Sequence, residues 1–221
     1  YTAFHWEDGE PLSLASFAAE TEGFSVEGNA RISGLSSDGM IAGQARLTRG
    51  DLSKLQALAG RPIGGQLRAD LAGSYAMLTG AFDLDLQGEG SDLEVGSSQI
   101  DRIIAGRSSL SMSARRDLDG TTLRALELKA TGAELVASGR LSNTAAVLDF
   151  DSKLADMSTL VEGLSGPAQM QGQARMSEGE WQFDLTGGGP KQSQVTASVV
   201  LPSKGAASVA FDADIGETSW I

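Results

Sequence analysis

The sequence predicts an all-β chain: an elongated antiparallel sheet interrupted by a few short helices. Three observations predict it. Apolar residues recur at every second position along most of the chain, the period of a strand with one buried face. Pairs such as Asp119-Gly120 and Glu178-Gly179 separate these runs, and such pairs close hairpins. The composition agrees: 28 of 221 residues are Gly and only 5 are Pro, where average usage gives about 15 and about 11.

The alternation can be followed in order. Phe24, Val26, Gly28, Ala30 and Ile32 share one face, then Ile41, Gly43, Ala45 and Leu47, then Leu67, Ala69 and Leu71. Phe82, Leu84 and Leu86 continue it, with Asp83 and Asp85 forced to the opposite side. Later runs are Leu110-Met112-Ala114, Leu126-Leu128-Ala130, Leu135-Ala137-Gly139-Leu141 and Leu148-Phe150. Met170-Gly172-Ala174-Met176, Trp181-Phe183-Leu185, Val195-Ala197-Val199-Leu201 and Val209-Phe211-Ala213-Ile215 complete the series. Every strand thus has one dry and one wet face. Further turns are expected at Ser37-Asp38-Gly39, at Glu89-Gly90-Ser91-Asp92 and at Gly187-Gly188-Gly189-Pro190.

Three segments read as helices, within 51–59, 98–105 and 156–164. Asp51 caps a turn carrying Leu52, Leu55 and Leu58, and Asp156 one carrying Met157, Leu160, Val161 and Leu164. Ser98 and Asp101 form a capping-box pattern ahead of Ile103 and Ile104. Each is too short to stand alone and is expected to dock on the sheet. The first and third open similar stretches. Asp51-Leu52-Ser53-Lys54-Leu55 matches Asp156-Met157-Ser158-Thr159-Leu160, and Gly65-Gln66-Leu67-Arg68 matches Gly172-Gln173-Ala174-Arg175. This divides the chain into a leading β segment (1–50), a first repeat unit (51–155) and a second (156–221).

Charge and residue usage exclude several functions. A net charge of −12 without a basic patch argues against nucleic acid and against electrostatic attraction to anionic membranes. Cysteine is absent, which removes disulfides and thiolate metal sites. No run of about 18 apolar residues crosses a bilayer. The chain opens at Tyr1 and stops at Thr218-Ser219-Trp220-Ile221, which reads as a piece of a longer protein. His5 is the sole histidine, so a metal site or a His-based triad has little to build on. Asp83 with Asp85, and Asp149 with Asp151, have the look of paired carboxylates for glycoside hydrolysis, but wet-face aspartates equally solvate a sheet. No catalytic residue, cofactor or metal is expected.

The order of motifs carries a resemblance. Asp101-Arg102-Ile103-Ile104-Ala105-Gly106 leads into a strand, followed by Asp117-Leu118-Asp119-Gly120 and Leu123-Arg124-Ala125-Leu126-Glu127-Leu128-Lys129-Ala130. Ala137-Ser138-Gly139-Arg140-Leu141, Leu154-Ala155-Asp156-Met157-Ser158-Thr159-Leu160 and Leu164-Ser165-Gly166-Pro167 come next. Over roughly residues 50–190 this resembles the periplasmic body of TamB-like translocation and assembly module proteins, in the wider AsmA-like group. The resemblance implies a sheet curled into a trough with a greasy interior. It implies a periplasmic place, an inner-membrane anchor outside this chain, and an outer-membrane barrel partner of the TamA type. The implied roles are phospholipid transport and outer-membrane protein assembly. The family's C-terminal signature domain is not recognisable here.

The dry face is the feature with functional content. Leu84, Leu86, Leu126, Leu128, Phe150, Phe183 and Phe211 are the residues expected to face acyl chains. A sandwich or solenoid core needs the same alternation as a trough, so periodicity leaves both open, and the resemblance selects the trough. The other readings are a structural repeat stalk with a filled core, such as a surface or adhesin array, and a β-helical polysaccharide enzyme.

Overall fold

The computed structural model describes residues 2–5, 11–34, 38–142, 144–160, 165–203 and 206–214. Fourteen strands follow one another: β1 Thr2–His5, β2 Leu12–Thr21, β3 Phe24–Ser33, β4 Met40–Asp51, β5 Gly64–Ala76, β6 Phe82–Glu94 and β7 Arg107–Asp117. The remainder are β8 Gly120–Ala130, β9 Ala133–Leu141, β10 Ala145–Leu154, β11 Ala168–Ser177, β12 Glu180–Gly188, β13 Gln194–Leu201 and β14 Ser208–Asp214. They form one antiparallel sheet in which spatial order equals sequence order. The first and last strands do not pair, so the sheet is open. It runs without a break across residues 50/51 and 155/156, since β4 bonds to β5 and β10 to β11.

Side-chain parity is kept from strand to strand. Seven register shifts occur, all among the first nine strands. They fall where the sequence steps by three instead of two, as in Leu14 to Phe17, Leu47 to Gly50 and Leu123 to Leu126. A bulge takes up the extra residue and returns the next apolar side chain to the dry face. The step at Leu14–Phe17 hides β2 from a period-two reading, and β1 is too short to show one.

The segment Glu89-Gly90-Ser91-Asp92 is not a turn. It lies inside β6, paired with β5 and β7. Asp92 serves a bulge instead, with φ 50° and its N–H donating to Gly106 O at 2.8 Å, while Gly90 pairs in register with Leu67 and Ser108.

The helical segments line one rim of the sheet. Residues Leu52–Leu55 form a 3-10 turn continued by α1 Gln56–Ala59, α2 is Ser98–Ile104, and Met157–Thr159 is a second 3-10 turn. Residues 161–164 lie outside the described residues. Asp51 accepts from Ser53 N–H at 3.1 Å and Asp156 from Ser158 N–H at 3.0 Å, so both copies of the Asp-x-Ser motif build the same cap. Ser98 is the first residue of α2 and not its cap. Ser97 occupies that position without a side-chain bond, and Asp101 reaches back to the Val95 N–H at 2.7 Å. Docking is partial: Ile103 and Ile104 are half-buried, whereas Leu58 stays 86% exposed, because its one-turn helix ends at Gly60 before reaching the sheet. Backbone bonds stitch the rim lengthwise, from Asp51 N–H to Gly23 O, Gly132 N–H to Ile103 O, and Ala155 N–H to Gly132 O.

Among the described residues no second layer covers this sheet. The chain exposes 14543 Å², where a compact protein of 22.9 kDa exposes about 9,600 Å². Among the described residues, the buried apolar side chains are four alanines, Ala76, Ala114, Ala146 and Ala174, and Pro190. Glycines concentrate on the dry face, where they let the sheet curl. A methyl group on Gly73 would stand 2.0 Å from Asp83 O, and one on Gly139 would stand 2.1 Å from Val147 O. At these two glycines, with φ of 149° and 158°, the neighbouring strand's carbonyl occupies the place a side chain would take, so the strands approach more closely than any other residue would allow.

Gly88 shares the dry face but has room, its nearest neighbour lying 3.5 Å away. Gly73→Ala is therefore expected to destabilise by roughly 1–3 kcal/mol through its positive φ and overpacking, and Gly88→Ala to be neutral or slightly stabilising. Urea unfolding of the two variants checks this, and equal midpoints would contradict the close approach at Gly73.

Candidate functional site: an uncovered apolar face

Cross-strand register assembles the dry face into rows that run along the length of the sheet. The central row reads Phe17, Gly28, Ala45, Leu71, Leu86, Met112, Leu126, Ala137, Phe150, Gly172, Leu185, Ala197, Phe211. One step toward the rim opposite the helices, the row runs from Leu14 through Gly73, Leu84, Ala114, Leu148 and Phe183 to Val209. One step the other way, it runs from Ala19 through Leu47, Leu110, Leu128, Leu135, Ser152 and Met170 to Ala213. These three rows contain no charged residue, and Ser152 is their only polar one; its hydroxyl donates to Met170 O at 3.2 Å.

All seven residues expected to face acyl chains fall on these rows. Leu86, Leu126, Phe150 and Phe211 share the central one, Leu84 and Phe183 the second, and Leu128 the third. Six are half-buried, and Phe211, on the uncovered edge strand β14, is 75% exposed. Large side chains lean over glycines of the next strand: Phe150 and Leu185 over Gly172, Leu84 over Gly73, and Phe17 over Gly28. Big and absent side chains thereby make one continuous apolar floor. Leu71, Met112, Leu148, Leu185 and Val199 belong to it equally, and the alternation already pointed to them. Trp181 and Phe183 stack at 5.9 Å on the same face.

The wet face carries paired charge. Arg124 sits at the bulge of β8 and reaches back across β7. It bonds to Asp83, approaches Asp85 at 3.6 Å and donates to Ser113 Oγ at 2.8 Å, while Ser113 donates to Asp85. The bond to Arg124 holds the Asp83 carboxyl below its ordinary range and raises the Arg124 guanidinium. A second network joins Asp149, Gln173, Arg175, Asp184 and Ser198 across β10 to β13. Asp83 and Asp85 are thus tied to one guanidinium, and Asp149 is bonded to Gln173; these carboxylates stabilise neighbouring strands electrostatically. His5 pairs with Ser13 at the end of β1.

Among the described residues no three His, Asp or Glu side chains gather as metal ligands, and no helix is long and apolar enough to cross a membrane. Clefts form on the wet face; one of about 1050 Å³ is lined by Arg68, Glu89, Arg107, Ser109 and Lys129. Fold and site together define an open, single-layer, curled β-sheet protein whose dry face carries three central rows without a charged residue. Comparison with protein-family models, with curated proteins and with solved structures finds no match for this chain.

The paired carboxylates make stability depend on pH. Asp83 is lowered by its bond to Arg124, and Asp156 by the N–H groups of Ser158 and Gly166. Unfolded, both titrate near the ordinary 3.8. The native chain binds fewer protons there, so their contribution is present above about pH 4 and lost as pH falls through the lowered native values. Urea midpoints should be flat above that point and fall below it. An Asp83→Asn/Asp156→Asn double variant should keep its midpoint near neutrality better than it keeps the acid slope, since Asn still caps a turn. An unchanged acid slope would remove these groups from the explanation.

Proposed function

We propose that this chain is a segment of a periplasmic conduit or scaffold in which phospholipid acyl chains lie along the dry inner face. The supporting observation is the unbroken apolar floor. From β2 to β14 the rows extend about 58 Å and span about 13 Å of strand, on the order of 750 Å². Ordinary monomers leave apolar patches of roughly 300–600 Å² at most, and larger ones mark binding surfaces for protein or lipid. A filled-core stalk is the weaker reading, since it needs a second layer, and a clustered active site has no counterpart among the described residues.

In this reading the chain acts passively. The apolar floor removes acyl groups from water, at about 25 cal/mol per Å² of covered surface. Rows run perpendicular to the strands, so a chain sliding along them meets apolar side chains at every strand spacing. The wet face keeps the segment soluble. Inner-membrane anchoring through a segment outside this chain, a TamA-type outer-membrane barrel as partner, and a part in outer-membrane protein assembly come from the resemblance and belong to the same proposal.

Leu128 offers the test. It is half-buried between Leu110 and Leu135 in the third row. A carboxylate in a closed core is buried without a partner and unfolds the domain; beside an open groove it reaches water. Leu128→Asp is expected to fold, with an unchanged β-sheet circular dichroism spectrum, and to lose acyl-chain capture. A photo-crosslinker at position 128 should label lipid extracted from the envelope. Labelling of protein neighbours only, together with an unfolded Leu128→Asp chain, would end the conduit reading.

A further inference from the structure

Next to the second row, at the rim opposite the helices, a fourth dry-face row reads Leu12, Ile32, Ile41, Tyr75, Phe82, Arg116, Thr121, Leu141, Ala146, Met176, Trp181, Leu201. Arg116 is the one charged residue in these four rows. It is exposed, and among the described residues no hydrogen bond or ion pair engages its guanidinium. On the wet face nearby, Arg124 is bonded to Asp83 and Arg115 lies 3.9 Å from Asp117, while Arg140 on β9, also on the wet face, has no ion pair among the described residues. The side-chain hydroxyls of Thr121, one strand away, and Tyr75, two strands away, share the row and have no hydrogen-bond partner among the described residues.

The geometry points to Arg116 as the anchor for the phosphate group of an amphiphile whose acyl chain lies along the apolar rows, with Thr121 and Tyr75 as supporting donors. The inference rests on the conduit reading and adds the headgroup chemistry to it. An amphiphile on this floor has its apolar part covered across the three uncharged rows, and its head must emerge at a rim. At β7 the floor gives way, within one row, from Ala114 to a guanidinium with the Thr121 hydroxyl on the next strand and the Tyr75 hydroxyl two strands away. A guanidinium presents its N–H groups in a planar fork that matches two oxygens of a phosphate or a carboxylate, and the phosphate is the head that the conduit reading supplies. The acidic chain otherwise repels anions, so a single uncommitted cation on the inner face selects where an anionic head rests.

Decyl phosphate, uncharged decyl maltoside and inorganic phosphate, titrated below the aggregation concentration of the amphiphiles, test this by calorimetry on the whole chain. The parent is expected to bind decyl phosphate about tenfold more tightly than decyl maltoside, the factor one charge-assisted pair supplies. Arg116→Gln should abolish that preference and leave decyl maltoside unaffected; Arg116→Lys should retain part of it, and the wet-face Arg115→Gln all of it. Equal binding of the two amphiphiles by parent and Arg116→Gln would overturn the anchor while sparing the groove. Inorganic phosphate bound through Arg116 as tightly as decyl phosphate would make this a free-anion site and overturn the amphiphile. Absence of binding by both amphiphiles would overturn the anchor together with the conduit reading.

Discussion

Everything in this molecule depends on side-chain parity being carried across successive strand pairs without loss. Two residues per repeat and one hydrogen-bonded neighbour on each side leave no slack: a slip of one residue turns a whole strand inside out. The seven register shifts among the first nine strands show how parity survives irregular sequence. At Leu14–Phe17, Leu47–Gly50 and Leu123–Leu126 a bulge absorbs the odd residue, so Phe17, Gly50 and Leu126 return to the dry side. Bulges also bend and twist a strand. The same devices that protect parity therefore help the sheet to curl. Arg124 shows a third use, since its place at a bulge lets it reach Asp83 two strands away.

Such a sheet is held together without a conventional core. Each strand pairs only with its neighbours in sequence, so stability is a sum of local terms, as in repeat proteins. Backbone ladders satisfy the peptide groups, half-buried pairs such as Leu86 with Met112 remove part of their surface from water, and wet-face ion pairs clamp adjacent strands. Exposed ion pairs of this kind contribute little individually. The arrangement leaves a large apolar area facing solvent, and a ligand able to cover that area would add directly to stability by binding the folded state alone. Function and stability meet in one surface.

Legibility varied along the chain for physical reasons. From β9 to β14 no register shift occurs, and the alternating residues from Leu135 to Ala213 match the dry face, Ile215 lying outside the described residues. β2 escapes the same reading because its bulge breaks the period after Leu14. Glu89–Asp92 reads as a turn because Gly and Asp serve turns and bulges alike; pairing with β5 on one side and β7 on the other makes it strand. The helix starts at Asp51 and Asp156 were visible because capping is local chemistry, whereas the failure of Leu58 to dock depends on where the short helix points. The link from Arg124 to Asp83 joins residues 41 apart and had no local signal. Arg116 could have been found by extending the Leu110-Met112-Ala114 run by two positions.

The sequence by itself determined the strands, their antiparallel order and the separation of a dry from a wet face, because alternation and turn chemistry act over a few residues. Whether anything covers the dry face was not encoded there. A sandwich, a solenoid and a trough demand the same alternation, and they differ only in what lies about 10 Å above the sheet. Tertiary structure decided that: β14 does not return to pair with β1, no second layer forms among the described residues, and glycines on the dry face let neighbouring strands approach closely. These are relations between distant residues, governed by the geometry of the assembled sheet, and no local pattern carries them.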